Sequence, residues 1–296
     1  MALWQTIVSS VAKLGTARPV YILAALGLYI VSLFMVGARW RGFLCAVGGR
    51  VSVLRATLAT LGGISVNNLT PSSRVGGEVC RIALVRAAGA TTWQQATIAA
   101  VWDRLSEVPP ISVLAVMSLV AVRDLSSRSR TLAIAFVIVF VLALAILGLR
   151  QLRKARGWLA GWRERLALDR ITLGVFATGV GYSSLLWLQD VLRLLCVALA
   201  FGVVLTPTQV AALSILTMLG GLVPTVGGLG AVEGGLVAGL LAFGVDGPTA
   251  AAVTAAERAI SYGFGTAAGA VVVALLGGRS LWTASRSRRT SGAFPP

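Results

Sequence analysis

The chain is organised around apolar runs as long as a bilayer is thick. A spanning helix needs about 20 mostly apolar residues. Such runs cover 20–36, 51–66, 94–122, 131–149, 171–206, 207–223 and 247–277, with short polar interruptions between them. The 171–206 stretch is long enough for two helices, joined near Gln189 and Asp190. With 57% of the 296 residues hydrophobic and 12% charged, a soluble chain could not hide this surface. The expected fold is therefore an all-α polytopic membrane protein, one membrane domain over 1–296 with about eight transmembrane helices. The first apolar run begins near Val20, and no small-residue cleavage pattern leads from it into a soluble domain, so no cleavable signal peptide is expected.

Charge and composition narrow the function. Histidine is absent, which excludes Ser-His-Asp and Cys-His catalysis and histidine-ligated zinc or haem. Cys45, Cys80 and Cys196 are too scattered for a metal cluster and read as small buried hydrophobes. No cofactor and no metal are expected. The net charge of +16 sits in short loops between apolar runs, which points to anionic lipid headgroups and topology control, with no nucleic acid as a partner. The longest basic loop, 150–170, carries Trp158 and Trp162 and suits an amphipathic segment at headgroup level. A basic tail over 285–296 is expected to be disordered. Arg39, Arg41, Arg50, Arg55, Arg123, Arg128, Arg130 and Arg193 count toward one side, and Lys13, Arg18, the 150–170 loop and the tail toward the other. The second group is larger, so both termini are placed in the cytoplasm of a bacterial or archaeal cell (inner) membrane.

Two interrupted stretches resemble each other: LTPSSRVGGEV near residue 70 and LVPTVGGLGAVEGG near residue 224. Pro71 and Pro224, Glu78 and Glu233, Asp103 and Glu257, and Arg104 and Arg258 stand at near-constant separation, which marks an internal repeat over about 51–149 and 207–278. Five spans between the two copies make them inverted, and a single helix over 171–206 would make them parallel. Pro71 with Gly76 and Gly77, and Pro224 with Gly227, Gly228 and Gly230, break the helices. Irregular backbone at membrane depth survives only when buried or lining a cavity, so two re-entrant hairpins with converging tips are expected.

Few acids are available, yet Glu78, Asp103, Glu107, Glu233 and Glu257 all fall in or beside apolar runs. A charge at bilayer depth costs at least ~2.5–3.5 kcal/mol on insertion scales. With Arg104 and Arg258 they are either buried ion pairs joining the repeats or the lining of a polar cavity. Asp103 and Glu107 share a helix face, and Pro109-Pro110 should kink their helix just beyond them. Helix N-termini at the tips, together with Arg74, Arg81 and Arg258, suit a phosphate-bearing headgroup. Asn67 and its neighbours Asn68, Thr70, Ser72 and Ser73 add hydrogen-bonding groups, whose plainer role is to satisfy broken backbone. The GGLG run is no P-loop, because no Lys-Ser/Thr follows it.

At these residues the chain resembles a known family. LTPSSRVGGEVCRIALVR and LVPTVGGLGAVEGGLVAGLLAFGV look like the two signature segments of the flippase-like transmembrane domain of lysylphosphatidylglycerol synthases, also known as the UPF0104 membrane proteins. The resemblance covers about 51–277. It is sharpest in Pro-x-x-Gly-Gly-x-Gly-x-x-Glu at 224–233, with one extra residue of spacing, and in Gly-Gly-Glu-x-x-Arg at 76–81. It implies movement of modified lipids between leaflets. In the synthases a soluble aminoacyl transferase domain follows, whereas this chain stops about 19 residues past its last run, so a stand-alone translocase is expected.

The leading reading is a lipid flippase-like transporter for a phospholipid or lipid-linked headgroup, working by alternating access and passive or driven by protons or membrane potential. Its partners are membrane lipids with anionic or phosphate-bearing headgroups. A homo-oligomer and a separately encoded lipid-modifying enzyme are further partners open to such a chain. The alternatives are a membrane enzyme acting on a lipid phosphate, for which no nucleophile beside a base is visible, and a non-catalytic partner of a lipid-modifying synthase.

Overall fold

Helix capping sets the element boundaries. In the computed structural model the described residues are 12–71, 75–122, 169–223 and 225–276. The apolar run at 131–149, the Trp158 and Trp162 segment, Arg74, Pro224 and the tail lie outside them. Helix α1 (Pro19–Ala46) starts on a proline that has no N–H to leave unpaired. Ser52 caps α2 (Val53–Leu69), and α3 (Val75–Ala87) follows. A reciprocal Thr92–Gln95 capping box opens α4 (Trp93–Leu105), and α5 (Val108–Val122) continues it. Thr172 caps α6 (Leu173–Ala200), and a Thr206–Gln209 box opens α7 (Pro207–Gly220). A tight turn at Val226–Gly228 leads to α8 (Ala231–Ala242). Asp246 caps α9 (Gly247–Arg258), which runs through a π-helical turn (Ala259–Phe264) and on to residue 276. Hydrogen bonds from Thr249 hold the Asp246 carboxyl below the usual carboxylate range, so it stays an anion at the positive helix end.

Residues 171–206 do not split into two helices. Gln189 and Asp190 lie inside the unbroken 28-residue α6, because no proline or glycine interrupts it there and Asp190 pairs with Arg193 one turn on. Among the described residues four helices are long and apolar enough to cross a membrane: Pro19–Ala46, Trp93–Ala121, Leu173–Ala200 and Gly247–Leu276. The 51–66 and 207–223 runs become α2 and α7, of 17 and 14 residues, each paired with the helix that follows it. Helix α4 gives way to α5 at Ser106–Glu107. Pro109 and Pro110 have no N–H for the carbonyls of Leu105 and Ser106, which breaks the ladder at that point.

The element order recurs along the chain. Helices α1, α2 and α4 start 154 residues before α6, α7 and α9, and α3 starts 156 before α8. The correspondence reaches back to Pro19, well before the 51–149 copy expected from the motifs. Helices α1 and α6 pack side by side and antiparallel. The N–H of Arg18 donates to the carbonyl of Ala200 at 2.9 Å, Phe43 packs on Gly179, and Arg170 donates to the carbonyl of Val47.

Among the described residues each half supplies most of one apolar core, with Ile171 entering the first and Ala25 of α1 the second, and a third core packs Leu114 of α5 on Ala211, Ile215 and Leu219 of α7. Trp40, Phe43, Leu44, Val85 and Ala99 join α1 to α2, α3 and α4. Leu194, Val197, Leu213, Leu236 and Val253 join α6 to α7, α8 and α9. Large apolar side chains such as Val20, Leu23, Val113, Val116, Leu173 and Leu188 face outward, as lipid contact requires. Cys45 is exposed and Cys80 and Cys196 are half-buried, Cys196 against the second core, so none is the fully buried hydrophobe expected.

Helices α2 and α3 form an antiparallel hairpin, as do α7 and α8. Small residues let the backbones close up. Gly77 sits against the carbonyl of Gly63, and Gly220 against Val232. Asn67 accepts the N–H of Gly77 at 2.7 Å, satisfying a donor of the first turn of α3. The hairpin ends meet: Tyr262 donates to the carbonyl of Asn68 at 3.0 Å, Asn68 donates to Thr266 at 2.8 Å, and the left-handed Gly227 leaves no room for a Cβ beside Tyr262.

The crossing gives a matched pair of substitutions. A Cβ at Gly77 would lie 2.2 Å from the carbonyl oxygen of Gly63, whereas one at Gly27 meets nothing within 4 Å. Gly77→Ala should cost about 1–3 kcal/mol and lower the thermal midpoint of the detergent-solubilised protein. Gly27→Ala should leave it unchanged or raise it. Equal midpoints would contradict the close crossing.

Candidate functional site

The charged residues of the apolar segments gather in two sets. In the first half three arginines and three carboxylates close a ring. Arg39 of α1 reaches Asp103 at 2.7 Å and Glu107 at 2.6 Å. Asp103 also holds Arg81 of α3 at 3.1 Å. Arg81 lies 2.6 Å from Glu78, without hydrogen-bond alignment, and stacks on Trp40 at 4.1 Å. Glu78 pairs with Arg104, and Arg104 returns to Glu107 at 3.1 Å. Every member therefore contacts two of opposite sign, and the ring is neutral. Asp103 is fully buried and Arg39 and Arg81 nearly so, while the Arg104 side chain keeps 46% of its surface.

The second half carries a different set. Arg193 of α6 pairs with Glu257 and Asp190, and Ser261 donates to Glu257 at 3.0 Å. Arg258 pairs with Glu233 at 2.7 Å, donates to the carbonyl of Gly227 at 3.1 Å, and lies over the Tyr262 ring at 4.6 Å. Glu233 also accepts the N–H of Gly230 at 2.7 Å, which places a carboxylate at the start of α8. Two arginines thus face three carboxylates. These ion pairs stay within each half; across the halves Arg39 donates to Ser183 at 2.8 Å and Tyr29 to the carbonyl of Ser261 at 3.1 Å.

A cavity of about 410 Å³ lies between the halves. Arg39, Arg104, Glu107, Asp190, Arg193, Glu257 and Arg258 line it, with Asn67, Asn68, Gly227 and Gly228 from the hairpin ends. Its apolar wall is Val36, Ile64, Leu186, Trp187, Met218 and Val223. The buried hydroxyls of Ser214 and Thr225 also line it and have no partner. Among the described residues no cluster of metal-ligating side chains forms, because the carboxylates are engaged by arginines.

Comparison with known proteins now decides the family. The family described as the lysylphosphatidylglycerol synthase TM region matches residues 2–269. The chain belongs to this family. It is 29% identical to a UPF0104 membrane protein of Methanothermobacter thermautotrophicus, over 89% of this chain and 88% of that protein. It is 26% identical to a UPF0104 membrane protein of Pyrococcus horikoshii, over 91% of each chain. No solved structure matches it.

For this UPF0104 relative, the structure sorts the residues expected from sequence. It brings Asn67, Arg104, Glu107, Gly227, Gly228, Glu257 and Arg258 to the cavity. Glu78, Arg81 and Asp103 stand behind Arg39 and Arg104, and Glu233 and Gly230 behind Arg258. Gly76 and Gly77 lie in the first turn of α3, away from the cavity lining, and Gly77 serves the hairpin crossing. Arg74 and Pro224 lie outside the described residues. The reading missed Arg39, Asp190 and Arg193. Sequence alone counts Arg39 and Arg193 toward the charge of one membrane side, whereas both are buried mid-helix. Their 154-residue separation, the same as between Arg104 and Arg258, was the available signal.

Burial ranks the ring members. Asp103→Asn leaves two buried arginines short of a counter-charge and should cost about 3–5 kcal/mol, the usual result of breaking a buried pair. Glu233→Gln removes a partner from a more exposed pair and should cost about 1 kcal/mol or less. Thermal unfolding of both variants in detergent checks the order, and a larger loss for Glu233→Gln would contradict it.

Proposed function

We propose that this membrane protein moves a lipid with a phosphate-bearing headgroup between leaflets. The two halves act as inverted repeats in the bilayer, and the α2–α3 and α7–α8 hairpins enter from opposite sides without crossing. The observation that carries this reading is the cavity. It is lined by charged groups from both halves together with apolar residues such as Val36, Ile64 and Met218, which fits an amphiphile with its headgroup inside and its tails in lipid. The antiparallel α1–α6 contact supports inversion, since matched helices then start on opposite sides of the membrane. Inversion thus survives the merging of 171–206 into one helix, because α2–α3 and α7–α8 are hairpins and leave the chain on the side where it entered.

Every cavity arginine already holds a carboxylate, so a phosphate binds by exchange. Arg104 and Arg258 are its receivers, as Arg104 is the most exposed of the four cavity arginines and Arg258 sits at the hairpin end. Glu78 and Glu233 release them and take them back when the headgroup leaves. Because α1 and α6 run antiparallel and each hairpin returns to the side it entered from, Arg18 and the start of α9 share one side while Arg170 and the far end of α9 share the other, so the two ends of the described chain face opposite sides and the expected placement of both termini in the cytoplasm gives way. Rocking of the two halves about the α1–α6 contact opens the cavity to each side in turn.

Purified protein in vesicles carrying a fluorescent phospholipid, read by quenching of the outer leaflet, tests this. The wild type should speed transfer over protein-free vesicles. The triple variant Glu78→Gln, Glu233→Gln and Glu257→Gln should slow it about tenfold or more, the effect of ~1.4 kcal/mol on the barrier. Transfer unchanged by the three substitutions would remove these residues from the mechanism.

A further inference from the structure

The two halves differ in their charges in a way that assigns a second ligand to the cavity. In the register that matches Glu78 with Glu233, Arg81 corresponds to Leu236, and at the 154-residue separation Glu107 corresponds to Ser261 and Val36 to Asp190. The first half closes into a neutral ring, and the second is left with Asp190, Arg193 and Glu257, one cation between two carboxylates. Glu257 is buried and held from two sides, by Arg193 and by Ser261. Asp190 is different: it contacts Arg193, keeps 31% of its side-chain surface, and lines the cavity.

An uncompensated carboxylate at membrane depth is costly, and a site of two carboxylates on one arginine lowers that cost by binding one more positive charge. A second observation indicates a small hydrogen-bonding guest. The hydroxyl of Ser214, 1% exposed, lines the same cavity with no partner, as does that of Thr225.

We propose that Asp190 takes up and returns a proton as the cavity opens and closes, so that lipid transfer is coupled to protons. This rests on the transport reading for its consequence, though the proton site can be measured without transport. With Asp190 ionised the triad carries one negative charge, which is tolerated while water fills the cavity. A proton taken up by Asp190 on closure leaves Arg193 to Glu257 and makes the triad neutral. The other charged or titratable groups around it are Arg39 and Tyr29 from α1, Glu257 and Arg258 from α9, and Arg104 and Glu107 across the cavity. Helices α5 and α7, also packed against α6, contain no ionisable residue.

The test is infrared spectroscopy of the full chain in lipid nanodiscs, titrated with acid, alongside the vesicle assay with and without a pH gradient. The wild type should show a protonated-carboxyl band that grows as pH falls and is absent from Asp190→Asn, and Asp190→Glu should restore it at a shifted frequency. The gradient should change the wild-type transfer rate and leave that of Asp190→Asn unaltered. A missing band, a band retained in Asp190→Asn, or a rate indifferent to the gradient in the wild type would each overturn the coupling. Should Asp190→Asn not fold, the band's shift in Asp190→Glu makes the same assignment. A band that behaves as expected in a protein that moves no lipid would support the proton site and refute the transport reading alone.

Discussion

Arginine inside the membrane is the constraint on which the architecture depends. Arg39 and Arg193 stand 154 residues apart on two antiparallel helices in contact, and each must meet a carboxylate from the long span that follows its own hairpin. Asp103 and Glu257 supply those carboxylates, which fixes α4 against α1 and α9 against α6. The hairpins then fill the space between, each with a glutamate in the first turn of its returning helix. Glu78 reaches Arg104, and Glu233 reaches Arg258. Apolar packing fills each half and joins α5 to α7 between them, but the ion pairs set the register, because a one-turn slip would strand a buried charge at several kcal/mol.

The halves match in backbone and differ in charge. A closed ring of six charges holds the first half firmly, since each group that leaves one partner still has another. The second half is looser, with an open pair at Arg258 and a shared arginine at Arg193. The interruptions differ as well: the first at the proline pair after Glu107, the second a π-helical turn around Ser261.

Much of this was legible in the sequence where rare residues carry the pattern. Charged and helix-breaking residues in apolar runs are costly, so Glu78, Asp103, Glu233 and Glu257 stood out, and their spacing exposed the correspondence between halves. The same logic failed at Arg39 and Arg193. An arginine near the end of an apolar run looks like a loop residue, and only the partner across the fold distinguishes the two. Asp190 was read as a joint between helices because a polar pair in a long run resembles a turn, and its helical pairing with Arg193 was overlooked. Helices α1 and α6 share no motif beyond their arginine, which is why the correspondence was expected to begin at 51 and is found to begin at 19.

The central claim is that the two halves lie inverted across the bilayer around a shared cavity, and side-specific labelling reaches it most directly. Ser52 and Thr206 are matched, exposed helix caps at the starts of α2 and α7. With Cys45, Cys80 and Cys196 replaced by alanine, Ser52→Cys and Thr206→Cys can each be treated with a membrane-impermeant thiol reagent in sealed, oriented vesicles. The account predicts labelling of the two positions from opposite sides of the membrane. Labelling of both from the same side would contradict it.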